Sequence, residues 1–167
     1  MSDIVFINHY NSPLGEITLA GSGEFLTGLW FDGPKYFPQN LISESVFAAL
    51  PIFTQTKQWL DIYFSGKSPD FTPPIYQQTT PFRKEVYELL LSIPYGHTVT
   101  YGEIAKILSN KRGGKKVSAR AVGGAVGHNG ISLIVPCHRV VGANGSLTGY
   151  AGGLDKKTAL LKLEKIL

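Results

Sequence analysis

The stretch Ser68 to Pro81 carries Pro69, Pro73, Pro74 and Pro81 and almost no hydrophobic periodicity. Each proline removes a backbone donor and fixes φ, so neither a long helix nor a central strand runs through it. The chain is therefore expected to fold as two parts joined there, and the patterning differs on the two sides. Before the prolines, Ile4 to Asn8, Gly15 to Ala20 and Leu26 to Phe31 run apolar or alternate between the turn signals Ser12-Pro-Leu-Gly15 and Gly21-Ser-Gly23, which predicts strands. Trp59, Leu60, Tyr63 and Phe64 recur at helical spacing and predict a helix from about Phe53 to Phe64.

After the prolines the pattern turns helical. Thr80 can cap, and Pro81 can open, a helix whose Phe82, Val86, Leu89, Leu90 and Ile93 form one apolar stripe. A second helix is expected over about Gly102 to Leu108, then the basic loop Lys111 to Lys116, then a third helix capped by Ser118 and running to about Val126. Two short helices joined by a turn, the second carrying Arg120, predict a helix-turn-helix. Ile131 to Val135 reads as a short strand that delivers the chain to Cys137.

With 43% apolar residues in a chain of 167, a packed core is available and disorder, coiled coil and collagen are excluded. No apolar run approaches the roughly 18 to 20 residues of a membrane span, and the N-terminus has no secretory pattern, so a cytoplasmic protein with no membrane partner is expected. Cys137 is the single cysteine, which rules out an intrachain disulfide and a Cys-rich zinc site. Residues 1–82 hold three basic and seven acidic side chains, residues 83–167 thirteen and five. A basic half on an acidic support is what a polyanion-binding protein needs.

Cys137 lies beside His138 and Arg139, where positive charge favours a thiolate and an imidazole can take its proton. In the last helix, Leu160, Leu163 and Leu167 form a stripe, and Glu164 falls beside it with no lysine at the helical spacing of a surface ion pair. A carboxylate there needs a partner or water. The third helix, Ser118 to Gly127, is nearly all small residues; its glycines cost about 1 kcal/mol each relative to alanine, so either close helix packing or close approach of a nucleic-acid backbone must require them.

Four motifs then stand in order: Ile93-Pro-Tyr-Gly-His-Thr-Val-Thr-Tyr-Gly-Glu-Ile-Ala105, Ala119-Arg-Ala-Val-Gly-Gly-Ala125, Val135-Pro-Cys-His-Arg-Val-Val-Gly142 and Thr148-Gly-Tyr-Ala-Gly-Gly153. With them the chain resembles the O6-alkylguanine-DNA alkyltransferases, or methylated-DNA–protein-cysteine methyltransferases. The resemblance implies an α+β chain: a ribonuclease H-like support domain over residues 1–76, and over 77–167 a helical domain with a winged-helix type of helix-turn-helix. It implies a DNA repair protein that flips O6-alkylguanine, with O4-methylthymine as a second candidate lesion, and moves the alkyl group irreversibly to its own cysteine, once per molecule. Cys137 would be the acceptor, His138 and Glu164 its proton relay, Asn129 the bridge between helix-turn-helix and acceptor strand, and Tyr101 the residue that turns the nucleotide. Val126, Ser132, Val140, Tyr150 and Ala151 would line the base pocket. Arg120 would replace the extruded base in the stack, with Ser118, Ala119, Gly123, Arg139, Lys115 and Lys116 along the DNA. The implied partner is the minor groove of alkylated duplex DNA, bound by a monomer, with no cofactor and no metal. Two rival readings are a non-repairing sensor of alkylated DNA and a cysteine hydrolase. The loop Lys111 to Lys116 is longer than the family pattern, and Arg83 and Tyr87 stand where Gln and Trp are more usual.

Overall fold

The computed structural model describes residues 4–32 and 45–167, which form two compact units: one holds residues up to Gln78 with Gly130–Ser132, the other Thr79–Asn129 with Leu133–Leu167. In the first unit, β1 (Val5–Ser12) and β2 (Gly15–Gly21) form an antiparallel hairpin. Its turn works because Gly15 takes φ +119° and the Ser12 hydroxyl both donates to Gly15 O and accepts from Leu14 N. β3 (Leu26–Phe31) pairs antiparallel with β2, and β4 (Ser45–Phe47) pairs parallel with β1, giving the order β3-β2-β1-β4. Ile17, Leu19, Leu26 and Leu29 are fully buried, as are Phe53, Leu60 and Tyr63 of α1 (Pro51–Phe64). Trp59 stacks on Tyr63 within that helix.

Part of the proline segment is not mere linker. Leu26 donates to Pro74 O and accepts from Tyr76 N, both at 2.9 Å, so Ile75 extends the sheet beside β3. Gly130 and Ser132 bracket Leu29 in the same way, at 3.0 Å each.

The second unit is built from α2 (Pro81–Leu91), β5 (Val99–Thr100), α3 (Tyr101–Lys111), α4 (Ala119–Gly127), a 3-10 turn Cys137–Arg139, β6 (Val140–Val141), a second 3-10 turn Ala143–Gly145 and α5 (Leu154–Leu163). Thr80, Thr100 and Ser118 each cap a helix by accepting the backbone N–H three residues on. Tyr87, which stands where Trp is more usual, donates from its hydroxyl to Ala125 O at 2.9 Å and ties α2 to α4. The long connection between α3 and α4 folds back on α3, with Gly114 N on Ser109 O and Val117 N on Ser109 Oγ, and left-handed φ at Gly113 and Gly114 permits this. β5 and β6 pair in parallel, Val99 opposite Val140.

Two expectations are corrected. Ile131 to Val135 is not a strand: Ile131 makes one bridge to Leu29, and Leu133 at φ +70° then turns the chain. The last helix ends at Leu163 with Glu164 as its cap, so Leu167 lies beyond it and is 59% exposed, and the buried face is Lys157, Leu160 and Leu161. Among the described residues no helix is long and apolar enough to cross a membrane.

Candidate active site

Pro136 ends the turn after Leu133, and the 3-10 turn places Cys137 inside the unit with its N–H on Val135 O at 2.8 Å. The same carbonyl accepts from Asn129 Nδ2 at 3.0 Å, and the Asn129 side chain also hydrogen-bonds the thiol. Asn129 thus fixes both the backbone and the sulfur of the Cys137 turn. His138 is fully buried, and its Nε2 meets Glu164 Oε2 at 2.6 Å. The other carboxylate oxygen accepts from Arg139 Nε at 2.8 Å and from Gly96 N at 2.9 Å. Arg139 also donates from Nη1 to Ile93 O and lies over the Tyr95 ring. One buried carboxylate therefore holds the imidazole, the guanidinium and the Pro94-Tyr95-Gly96 turn together.

Burial sets the protonation of this group. It pushes the Cys137 thiol above its ordinary value, against the opposing pull of Asn129, Lys157 and the local backbone N–H groups. It pushes His138 below 6.5, although Glu164 works the other way. Burial alone would also raise Glu164, but the hydrogen bond and charge of His138, the Gly96 N–H and Arg139 outweigh it and bring the carboxyl down to about 2. At neutral pH the resting triad is a neutral thiol, a neutral imidazole and an ionised carboxylate. An imidazole whose Nε2 hydrogen faces a carboxylate has Nδ1 as its base, and that nitrogen can take a thiol proton directly or through one water. Reaction with a free small electrophile should accordingly be flat in rate across neutral pH, and fall only well below pH 6.5 as His138 protonates. Stopped-flow rates against pH check this; a rate climbing in proportion to hydroxide throughout the neutral range would mean that the thiol ionises without the histidine.

Around the triad, Val126 and Val140 are buried, Tyr150 and Ala151 half-buried, and the Tyr150 ring meets that of His138 edge-on at 6.5 Å. The Tyr101 hydroxyl accepts from Thr148 Oγ1 at 3.2 Å, which joins the start of α3 to the Tyr150 loop. On α4, Ser118, Ala119 and Arg120 are exposed and Gly123 is half-buried. A Cβ on Gly124 or Gly127 would meet nothing within 4 Å, and one on Gly123 would only touch Tyr101 at 3.9 Å. Internal packing therefore does not require these glycines. Lys115 and Lys116 are exposed, whereas Arg112 pairs with Glu85 and covers Phe82, so it is not a free cation of that loop. The expectation that Arg139 faces DNA is corrected: it is 8% exposed, and its donors are spent on Glu164 and Ile93. Ser132 is buried and belongs to the first unit, with its N–H on Leu29 O.

Sequence reasoning missed Lys157, which is fully buried and donates to Val140 O and Thr148 O at 2.7 and 2.9 Å. Its position three and four residues before Leu160 and Leu161, on the apolar face, was the available signal. In the first unit, exposed His9, Glu16 and Asp32 bring ligand-type atoms within 4.8 Å of one another, and Thr18 already hydrogen-bonds both His9 and Asp32.

Known proteins are similar to this chain along most of its length. Residues 5–76 match the family model of the 6-O-methylguanine DNA methyltransferase ribonuclease-like domain, and residues 81–166 match that of the same family's DNA binding domain. The methylated-DNA–protein-cysteine methyltransferase of Mycobacterium tuberculosis is 45% identical over 94% of this chain and 92% of its own. That of Methanosarcina acetivorans is 44% identical over 93% and 95%. The crystal structure of the M. tuberculosis O6-methylguanine methyltransferase superposes with a TM-score of 0.83 at 42% identity, covering 97% of this chain and 93% of that one. A structure of the M. tuberculosis protein in complex with DNA gives 0.81 at 41%, covering 96% and 92%. With both parts of the chain matched in order and relatives aligned almost end to end, this chain belongs to the 6-O-methylguanine DNA methyltransferase family.

Proposed function

We propose that this protein repairs O6-alkylguanine in duplex DNA by moving the alkyl group to Cys137. The observation that carries the reading is the buried Cys137-His138-Glu164 set, in a unit that also holds a helix whose Gly124 and Gly127 face open space. In the reaction the Sγ–alkyl carbon bond forms as the bond from that carbon to O6 breaks, the bonding pair goes to the guanine, and the base gains one proton for the one the thiol loses. The product thioether has no bond that water can cleave, so each molecule acts once. A DNA-bound relative supports DNA as the partner. Residues 1–76 serve as the support domain and 77–167 as the working domain. The protein acts as a monomer with no cofactor, and O4-methylthymine is the second lesion to try.

The O6 substituent of a stacked base is out of reach, so the nucleotide must leave the duplex and something must fill the gap. Arg120, exposed in the first turn of α4, is the long side chain available for that, and Tyr101, whose ring lies near Gly123 of the same helix, is the residue assigned to turn the backbone. Arg120→Ala should slow repair of a duplex lesion far more than reaction with the free modified base; equal slowing of both, in parallel single-turnover assays, would remove the plug role. Gly124→Ala should raise the stability of the free protein by up to about 1 kcal/mol, because a helix gains from alanine and the site is open. The same change should weaken DNA binding, since the added methyl occupies the approach of the groove; calorimetry and a binding titration read the two opposite signs.

The test of the function is intact mass after incubation with an oligonucleotide duplex bearing O6-methylguanine, followed by peptide mapping. One methyl per molecule on Cys137, with burst amplitude equal to the protein added, is expected. Continued turnover by a single molecule would favour a hydrolase, and binding without mass gain a sensor.

A further inference from the structure

Between Asn129 and Leu133 the chain enters the first unit for three residues, Gly130–Ser132, which lie along β3: Leu29 N donates to Gly130 O and Ser132 N to Leu29 O, both at 3.0 Å. The Gly130 N–H takes a side-chain partner instead, donating to Gln77 Oε1 at 3.0 Å within the same unit. Gln77 itself stands on fixed backbone, because Ile75 and Tyr76 just before it are held on β3 through Leu26. A Cβ on Gly130 would lie 3.4 Å from Gln77 Oε1, so the approach is close, and glycine, with no Cβ of its own, depends on such outside bonds to define its backbone. The residue before it is Asn129, whose side chain bonds both Val135 O and the Cys137 thiol. A peptide group is planar, so the Gly130 N–H turns together with the Asn129 carbonyl, and the bond to Gln77 sets the ψ of Asn129. Its other side is set by the end of α4, where the Asn129 N–H donates to Val126 O at 3.2 Å. With both peptides held, the Cα–Cβ direction of Asn129 is fixed.

We propose that Gln77 is a positioning residue for the transfer reaction: by accepting from the Gly130 N–H it holds the peptide that follows Asn129 and so aims the Asn129 side chain at Val135 O and the Cys137 sulfur. The inference rests on the alkyl-transfer reading above. Gln77 acts through two covalently joined residues and needs no contact with the thiol or the base. Without it the Asn129 side chain loses one of the two peptides that orient it, and attack on a saturated carbon tolerates little misplacement of the nucleophile. The fold has other supports at this place, since the two bonds to Leu29 keep Gly130–Ser132 on β3.

Three variants test it. In Gln77→Met, single-turnover methyl transfer at saturating lesion DNA should fall about fivefold or more, while affinity for that DNA stays within about twofold. Gln77→Glu keeps an oxygen that accepts from Gly130 and should transfer within about twofold of the native rate. That rescue sets the accepting oxygen apart from the bulk of the side chain and from its amide nitrogen. The third is Asn129→Ala, read by the rate at which Cys137 reacts with iodoacetamide. If Gln77 works through Asn129, adding Gln77→Met to Asn129→Ala should slow that reaction no further. An unchanged transfer rate in Gln77→Met, a Gln77→Glu as slow as Gln77→Met, or fully additive losses with Asn129→Ala would each overturn the proposal. A spectrum of the DNA-free protein gives an independent reading: the Asn129 side-chain amide resonance should move in Gln77→Met and return to its native position in Gln77→Glu. An Asn129 resonance indifferent to Gln77 would overturn the proposal as well. The iodoacetamide and resonance measurements involve no DNA, so failure of the native protein to accept a methyl group would reject the transfer reading separately.

Discussion

Cys137→Ser should end alkyl transfer to the protein while leaving its affinity for lesion-bearing duplex DNA nearly unchanged. The substitution removes no contact that holds the fold, because the thiol is a small buried group whose fixed neighbours are Asn129 and the backbone of its own turn. What it removes is nucleophilicity. Attack on a saturated carbon rewards a soft, polarisable atom that can become anionic with help from one neutral imidazole, and a serine hydroxyl has to lose a far more tightly held proton. Burial already raises the thiol and lowers His138, and an alcohol is a far weaker acid still. On the proposed reading, binding draws instead on Arg120, Lys115 and Lys116, which are exposed. Mass spectrometry and a binding titration on one preparation separate the two effects. Transfer by the serine variant, or loss of binding in step with transfer, would mean that Cys137 is not the acceptor or that it organises the DNA-binding surface.

How much of this the sequence disclosed depended on whether the deciding interaction was local. The Ser12-Pro-Leu-Gly15 turn and the Thr80 and Ser118 caps rest on contacts within a few residues, and they were legible. β4 was not, since three residues pair in parallel with β1 and carry no alternation long enough to recognise. Ile131 to Val135 has the composition of a strand, but Leu133 adopts a backbone conformation that composition does not encode, and the run splits between the two units. Arg139 and Lys157 count as cations in any charge census. Their burial follows from Glu164 and from the carbonyls of Val140 and Thr148, partners distant in the chain. The motif around Cys137 marked the site, and the tertiary structure decided which of its charges are internal.

Removing the Glu164 carboxylate should produce the largest loss of stability of any single substitution in the second unit. The carboxylate accepts from His138, Arg139 and Gly96 at once and is 3% exposed. Taking it away strands the Arg139 guanidinium in the interior, and breaking a buried pair in this way costs about 3–5 kcal/mol. Glu164→Gln, with a carbonyl oxygen still able to accept one of these bonds, should cost less than Glu164→Ala. The pH dependence fixes the sign. Because the folded carboxyl is held at about 2 against an ordinary 4.5, its contribution is fully present above pH 4.5 and is lost as the pH falls from there toward 2. Acid unfolding of the native protein should therefore steepen across that window, and Glu164→Gln should flatten it. Catalysis separates the structural from the chemical share. Glu164 reaches the thiol only through His138, so at a temperature where all variants are folded, Glu164→Gln with His138→Gln should transfer little more slowly than the worse single variant. Fully additive losses in the transfer rate would mean that the carboxylate and the imidazole act on Cys137 by separate routes, and the relay drawn from the 2.6 Å contact would have to be given up.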